Sequence, residues 1–109
     1  MRHYLLGTFN LQMLAEFPAS IQIEEIPENE GWEMLADVQQ SPSIPERIFS
    51  VIGHADIAAV LGVPMNRINI TLRKGDVALV AELQGGQLPE GSMVLPEGLY
   101  FKFLLVTIK

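Results

Sequence analysis

The stretch from Ser50 to Arg67, SVIGHADIAAVLGVPMNR, joins an apolar, strand-like run to a short amphipathic helix. His54 stands at the join, directly after Gly53. Glycine lets a backbone approach another group closely, and the first N–H groups of a helix lack partners within the helix and favour an anion. These residues therefore fit a phosphate-binding corner. They also fit a plain turn in which His54 does no more than cap the helix.

Strand-like runs lie on both sides of this stretch. Alternation of apolar and polar residues, or a continuous apolar run between turn signals, predicts half-buried and fully buried strands respectively. Ile68, Ile70 and Leu72 alternate with polar residues and predict a half-buried strand. The other predicted strands are His3 to Phe9, Ser20 to Ile26, Ile48 to Ile52, Val77 to Leu83 in the centre of the sheet, and Leu99 to Ile108.

Capping and turn residues place the helices between these strands. Asn10 suits the cap of a short helix, and Pro27 to Val38 reads as an amphipathic helix with Trp32 facing the core. Gly62 is expected to end the helix that follows His54. The turn-rich stretch from Gln84 to Gly98 contains Leu-Pro-Glu-Gly twice, which indicates two similar turns rather than a structural repeat.

The mixed order of strands and helices predicts an α/β fold of the mixed α+β kind. We expect a roughly five-stranded mixed sheet flanked by short helices, in a single domain over residues 1–109. The last two strands carry apolar side chains on both faces. Their sheet is therefore expected to be covered on both sides, or to be joined to a second subunit.

Charge and composition restrict the classes of function. The chain has thirteen acidic residues, seven lysines and arginines, a formal net charge of −6, and no cysteine. Disulfides and thiolate metal sites are excluded, and binding of duplex nucleic acid through its phosphates is disfavoured. No signal peptide or membrane-spanning run is visible, so we expect a cytoplasmic protein that does not enter membranes. A small anionic ligand needs only a few local donors and stays compatible with this charge.

Motifs for the common hydrolases are absent. His54 with Asp56 lacks the spacing of a zinc site, and no nucleophile elbow or Gly-rich phosphate loop with lysine occurs. A phosphate site without metal or cofactor remains, built from His54, the helix start after Gly53, and Arg67. Arg67 also reads as an ordinary surface cation. Further candidates are Asn10 and Gln12, able to contact a base or ribose, and Gln87 and Glu90, in a loop that could close over a ligand.

Three short segments, in order, resemble the viral ring nucleases, the type III CRISPR antagonists of archaeal viruses and phages. They are YLLGTFNLQML at 4–14, Ile52-Gly53-His54 with Asn66-Arg67-Ile68, and GQLPEG at 86–91. The resemblance implies a mixed sheet, a homodimer, and a cyclic oligoadenylate bound in a pocket at the dimer interface. It also implies cleavage without metal, in which the ligand's own 2′-hydroxyl attacks and His54 is the general acid.

This chain departs from that pattern at two places. Gln87 replaces the arginine of the late motif, and Gly7-Thr8-Phe9-Asn10 replaces the usual Asn-Ala-Phe-Ser. Loss of one charged group that stabilises the transition state costs on the order of 100-fold in rate. We therefore expect a protein that binds and sequesters a cyclic nucleotide immune messenger. The alternatives are a ring nuclease that uses His54 and, from another class, a module that binds a protein partner through its acidic face. The expected ligand-binding residues are Gly7, Thr8, Asn10, Gln12, Gly53, His54, Arg67, Gln87 and Glu90.

Overall fold

A computed structural model describes residues 2–39 and 48–109, with the backbone alone at residue 39. The strands are β1 (His3–Leu6), β2 (Ile21–Ile26), β3 (Val38–Gln39), β4 (Ile48–Ser50), β5 (Val77–Gln84) and β6 (Tyr100–Ile108). The helices are α1 (Glu28–Met34) and α2 (Ala55–Leu61), with 3₁₀ turns at Leu11–Met13 and Leu35–Asp37. None of the helices in these ranges is long and apolar enough to cross a membrane.

All six strands form one mixed sheet in the order β2-β6-β5-β1-β4-β3. Strand β1 pairs in parallel with both β4 and β5, so that Leu5 lies opposite Ser50 on one side and Leu79 on the other. The pairs β5–β6 and β2–β6 are antiparallel. The predicted mixed α+β class is confirmed. Strand β3, which the sequence did not predict, begins at Val38, the last residue of the predicted helix.

One face of the sheet is covered by the helices. Its core includes Leu5, Phe101 and Phe103, each no more than 1% exposed. Trp32 of α1 packs edge-on against both phenylalanine rings, at 5.9 Å between ring centroids. Gly31 lies so close to Phe103 that an added Cβ would stand 2.2 Å from its Cγ. The predicted core position of Trp32 is therefore confirmed.

The opposite face is covered by two coil segments. Leu6, Val80 and Val106 of the sheet pack there against Leu14 and Leu72 of these segments. The strand predicted around 68–72 was wrong, because within the described residues the segment makes only an isolated bridge between Leu72 and Leu14. Ile70 and Leu72 pack over the surface of the sheet without joining its ladder, whereas Ile68 is 49% exposed.

The loop between β5 and β6 contains the two Leu-Pro-Glu-Gly segments as two separate turns. The N–H of Ser92 donates to the carbonyl of Pro89, and the N–H of Leu99 donates to that of Pro96, each at 3.2 Å. The ends of the loop meet closely, since a Cβ on Gly85 would stand 2.3 Å from the carbonyl oxygen of Gly98. The expectation of two similar turns is confirmed.

Candidate functional site

The candidate residues gather at the carboxyl ends of β1 and β4. These two strands are parallel neighbours, so the chain leaves both of them at the same edge of the sheet. After β1 it continues into residues 7–13, and after β4 into residues 51–54. Loops that follow adjacent parallel strands are where α/β sheets commonly bind ligands.

Ser50 and Asn66 fix the segment that carries Arg67. The Ser50 side chain is fully buried, and its Oγ donates to the carbonyl of Pro64 at 2.6 Å. Asn66 Nδ2 donates to the carbonyl of Ser50 at 2.8 Å, and the Asn66 N–H donates to the carbonyl of Ile52 at 2.9 Å. Residues 64–67 are thereby held against the end of β4.

Arg67 is exposed and lies beside Gly53. Its Nε donates to the Gly53 carbonyl at 2.8 Å. A Cβ added to Gly53 would meet its nearest neighbour, Arg67 Cγ, at 3.4 Å, which is van der Waals contact. Packing within one chain therefore leaves room for alanine at position 53.

His54 is the N-cap of α2. Its Nδ1 accepts a long hydrogen bond of 3.5 Å from the N–H of Ile57. A neutral imidazole that accepts through Nδ1 carries its proton on Nε2. The helix ends at Gly62, whose φ of 72° lies in the left-handed region, as the sequence predicted. The capping role is thus present, and it leaves Nε2 as a hydrogen-bond donor.

A cavity of about 570 Å³ opens on the coil-covered side of the sheet edge, and we call it the amide cavity. Side chains of three kinds line it: amides, threonine hydroxyls, and apolar groups of β1 and of the neighbouring turn and coil. It contains five of the predicted ligand residues, Gly7, Thr8, Asn10, Gln12 and Gly53, together with Asn69 and Thr71. Asn10 also caps the first 3₁₀ turn, since its Oδ1 accepts from the N–H of Gln12 at 3.1 Å.

A second cavity of about 330 Å³ lies on the helical side of the same edge, and we call it the histidine cavity. It is lined by His54, Gln87 and the neighbouring apolar residues Ile57, Leu83 and Leu88, with Gly86. No lysine or arginine of the described residues lines either cavity. Gly53 and His54 are adjacent in the chain, so they form the corner between the two cavities.

The structure therefore brings the predicted residues to one edge but divides them. Arg67 bonds the corner itself, while Glu90 is exposed on the turn from Pro89 to Ser92 and lines neither cavity. Sequence reasoning missed Asn69 and Thr71, because their alternation with isoleucines was interpreted as the solvent face of a strand. It also missed the hydrogen bond by which Ser50 clamps residues 64–67 to the end of β4, for which the sequence gives no local signal.

Comparison with known proteins gives a family and a fold. The chain matches the STIV B116-like family over residues 3–100. It is similar to the solved structure of B116 of Sulfolobus turreted icosahedral virus, with 22% sequence identity and a TM-score of 0.78. That likeness covers 98% of this chain and 99% of the other, and at this identity it speaks for the fold alone. No curated protein matches the chain. Because the family match extends over nearly the whole sequence, the chain belongs to the STIV B116-like family.

Proposed function

We propose that this protein is a viral anti-defence protein that binds a cyclic nucleotide messenger of an immune system and withholds it from its receptor. The observation that carries the proposal is the corner at Gly53 and His54, which stands between two cavities at one edge of the sheet. Membership of a family named after a viral protein, and likeness to the B116 structure, support a viral origin.

Each side of the corner offers groups suited to one part of a nucleotide. Asn10, Gln12 and Asn69 in the amide cavity can donate to and accept from the edges of a base or a ribose. The terminal amino groups of Arg67 and the Nε2–H of His54 can donate to a phosphodiester between them. The proposal relies on these side chains more than on the start of α2, which has only seven residues.

A ring-shaped ligand explains why the groups are divided between two faces. A ring that crosses the sheet edge over Gly53 would reach both cavities, and a glycine there leaves room for it. In a homodimer with two-fold symmetry, each copy would supply the same corner, which suits a cyclic ligand whose units repeat. The homodimer is part of the proposal.

Sequestration is favoured over rapid cleavage because no lysine or arginine lies in the described lining of the histidine cavity. Transition states of phosphoryl transfer require preorganised positive groups, and the described lining of the histidine cavity offers a neutral amide, Gln87, instead. The Nε–H of Arg67 already donates to the carbonyl of Gly53 and is therefore not available to a phosphate. Binding needs less charge stabilisation than turnover, so affinity can persist where rate is lost.

The experiment is a thermal-shift panel of cyclic di-, tri- and tetranucleotides and adenosine diphosphate ribose derivatives, followed by heat denaturation and chromatography. A true ligand at 100 times its dissociation constant should raise apparent stability by about 2.7 kcal/mol. Recovery of that ligand intact after denaturation supports sequestration. Absence of any stabilising compound in the panel refutes the proposal, and rapid appearance of linear products refutes its sequestration part.

Gly53→Ala tests whether the ligand crosses the corner. The space beside Gly53 admits a methyl group, so we expect unfolding stability within about 0.5 kcal/mol of the parent. The methyl group would obstruct the ligand, and its affinity should fall by about tenfold or more. Ser20→Ala, in the exposed coil before β2 at the far edge of the sheet, is the control and should bind normally. Equal affinity of Gly53→Ala and the parent would contradict the crossing geometry.

Cleavage is the second candidate function, and the position of His54 in the lining of the histidine cavity favours it. A general acid must be the imidazolium form, so His54 would give up the long 3.5 Å bond from the Ile57 N–H to Nδ1 before it acts. The ligand's 2′-hydroxyl would attack phosphorus and release its proton to water, the bond to the 5′ oxygen would break, and the imidazolium of His54 would protonate that oxygen. The products are a 2′,3′-cyclic phosphate and a 5′-hydroxyl. His54→Asn should abolish linear product without abolishing binding, and undiminished turnover in that variant would exclude this mechanism.

A further inference from the structure

Four of the seven lysines and arginines lie at the end of the sheet opposite to the candidate nucleotide site. They are Arg2, Arg73, Lys74 and Lys109, and we call this surface the basic end. Strand register brings them together, because His3 of β1 lies opposite Val77 of β5, and Val77 lies opposite Thr107 of β6. Each of the four cations is adjacent in the chain to one of these strand ends or to the turn before β5.

Backbone hydrogen bonds give the basic end a defined shape. The buried carboxylate of Asp76 accepts from the N–H of Arg73 at 2.8 Å and from the N–H of Arg2 at 3.1 Å. The N–H of Gly75 donates to the carbonyl of Ile108 at 2.7 Å. The turn before β5 is thus fastened to the starts and ends of three strands, and the carboxylate of Asp76 is occupied by backbone N–H groups.

A cavity of about 280 Å³ lies between Lys74 and Lys109. Its floor is apolar and consists of Leu14, Leu72 and Ile108, all at least nine-tenths buried. Phe17 stands at its rim with 68% of its surface exposed. The hollow therefore combines an apolar interior with two ammonium groups at its mouth, and one carboxylate, that of Glu16, also lines it.

The lysines of this cavity differ from Lys102 and Arg67 in their partners. Lys102 pairs with Glu25 at 3.3 Å, and Arg67 bonds the carbonyl of Gly53. Lys74 and Lys109 make no ion pair with any carboxylate in the described parts of the chain. An anionic partner can therefore reach their charges without displacing an existing salt bridge.

We propose that the basic end is a docking site for a short acidic segment of a partner protein. An apolar side chain of that segment would occupy the cavity against Phe17, and its flanking carboxylates would pair with Lys74 and Lys109. Charge complementarity limits the length of the partner, because the chain has thirteen acidic side chains and, among the described cations, only Arg67 and Lys102 lie outside the basic end. A nucleic-acid strand longer than the patch would extend over repulsive surface, whereas a few carboxylates around an apolar anchor would not.

The test is selection of random twelve-residue peptides by display on the intact protein. We expect enriched peptides to carry Asp or Glu on both sides of an aromatic or aliphatic residue. Lys74→Glu combined with Lys109→Glu should weaken their binding by about tenfold or more, while Lys102→Glu, a matched charge reversal elsewhere, should not. If the reversal variant fails to fold, Lys74→Gln with Lys109→Gln replaces it and should show the same order of loss.

Amide chemical shifts locate the bound peptide independently of affinity. With an enriched peptide, shifts should concentrate in residues 14–19, 72–76 and 107–109. The proposal is overturned if no acidic peptide is enriched, if the lysine variants bind as the parent does, or if the shifts fall elsewhere. It is also overturned if a twelve-nucleotide DNA strand binds these residues more tightly than the peptides do. None of these outcomes depends on nucleotide binding at the opposite end of the sheet.

Discussion

Replacing Ser50 by alanine removes a hydroxyl that ties β4 to the segment bearing Arg67. Ser50 is fully buried, its Oγ donates to the carbonyl of Pro64 at 2.6 Å, and it accepts from the N–H of Ile52 at 3.4 Å. A hydrogen bond contributes about 0.5–1.5 kcal/mol net, and a buried group left without its partner costs about 1–3 kcal/mol. Since the longer bond is weak, we expect Ser50→Ala to lower the free energy of unfolding by about 2 kcal/mol.

Ser92 provides a matched control within the same chain. Its Oγ donates to the carbonyl of Pro89 at the same distance, 2.6 Å, but Pro89 is exposed. After Ser92→Ala, water can satisfy that carbonyl, and we expect a change within about 0.5 kcal/mol. The two variants lose the same chemical group and an equally short bond, so their difference measures the effect of burial.

Urea unfolding of the parent and both variants gives the comparison. All three must be measured at one protein concentration, because any self-association adds to apparent stability. The urea concentration at the midpoint of unfolding should differ between the proteins, while the slope of the unfolding free energy against urea concentration should stay constant. If Ser50→Ala loses no more stability than Ser92→Ala, then the clamp at the end of β4 does not stabilise the fold as argued.

Three further predictions concern the helices and β1. Gly31→Ala should destabilise the protein by about 1–3 kcal/mol, because overpacking against Phe103 exceeds the gain in helix propensity of about 1 kcal/mol, and urea unfolding will test the sign. His54→Asn should retain the cap of α2 and the parent's melting temperature, whereas His54→Ala should lose about 0.5–2 kcal/mol, and equal melting temperatures would show that the cap contributes nothing. Burial, assisted by Asp76, raises the pKa of Tyr4, so the stability it contributes is complete below about pH 10 and is lost as the pH rises through the higher folded value. Tyr4→Phe should flatten that decline in unfolding measurements between pH 9 and 12.

Local signals in the sequence were sufficient for the elements around the corner. Gly62 marked the end of α2, and the position of His54 before an amphipathic run marked its start. Both signals depend on residues that are close together in the chain, so a short stretch of sequence is enough to predict where α2 begins and ends. Trp32 at helical spacing with Leu35 likewise predicted a helix face directed into the core.

Long-range arrangement was not available from the same patterns. Ile68, Ile70 and Leu72 alternate with polar residues as in a strand, yet only Ile70 and Leu72 pack on the sheet, and Ile68 is 49% exposed. A period of two shows that one side of a segment is apolar, and a coil that crosses a sheet can have the same pattern. The division of the site into two cavities depends on which face of the sheet each loop covers. The residue types at Gly53 and His54 do not indicate that face.

The contact between Gly85 and Gly98 has a consequence for how this protein can change. Because the two backbones touch, β5 and β6 are joined as though by a tight turn, whatever lies between them. Substitution or a change of length from Gln87 to Val94 alters the loop beside the imidazole, while Leu95 still packs against the core of the helical face. The fold can thus vary this loop over evolution while its framework stays the same.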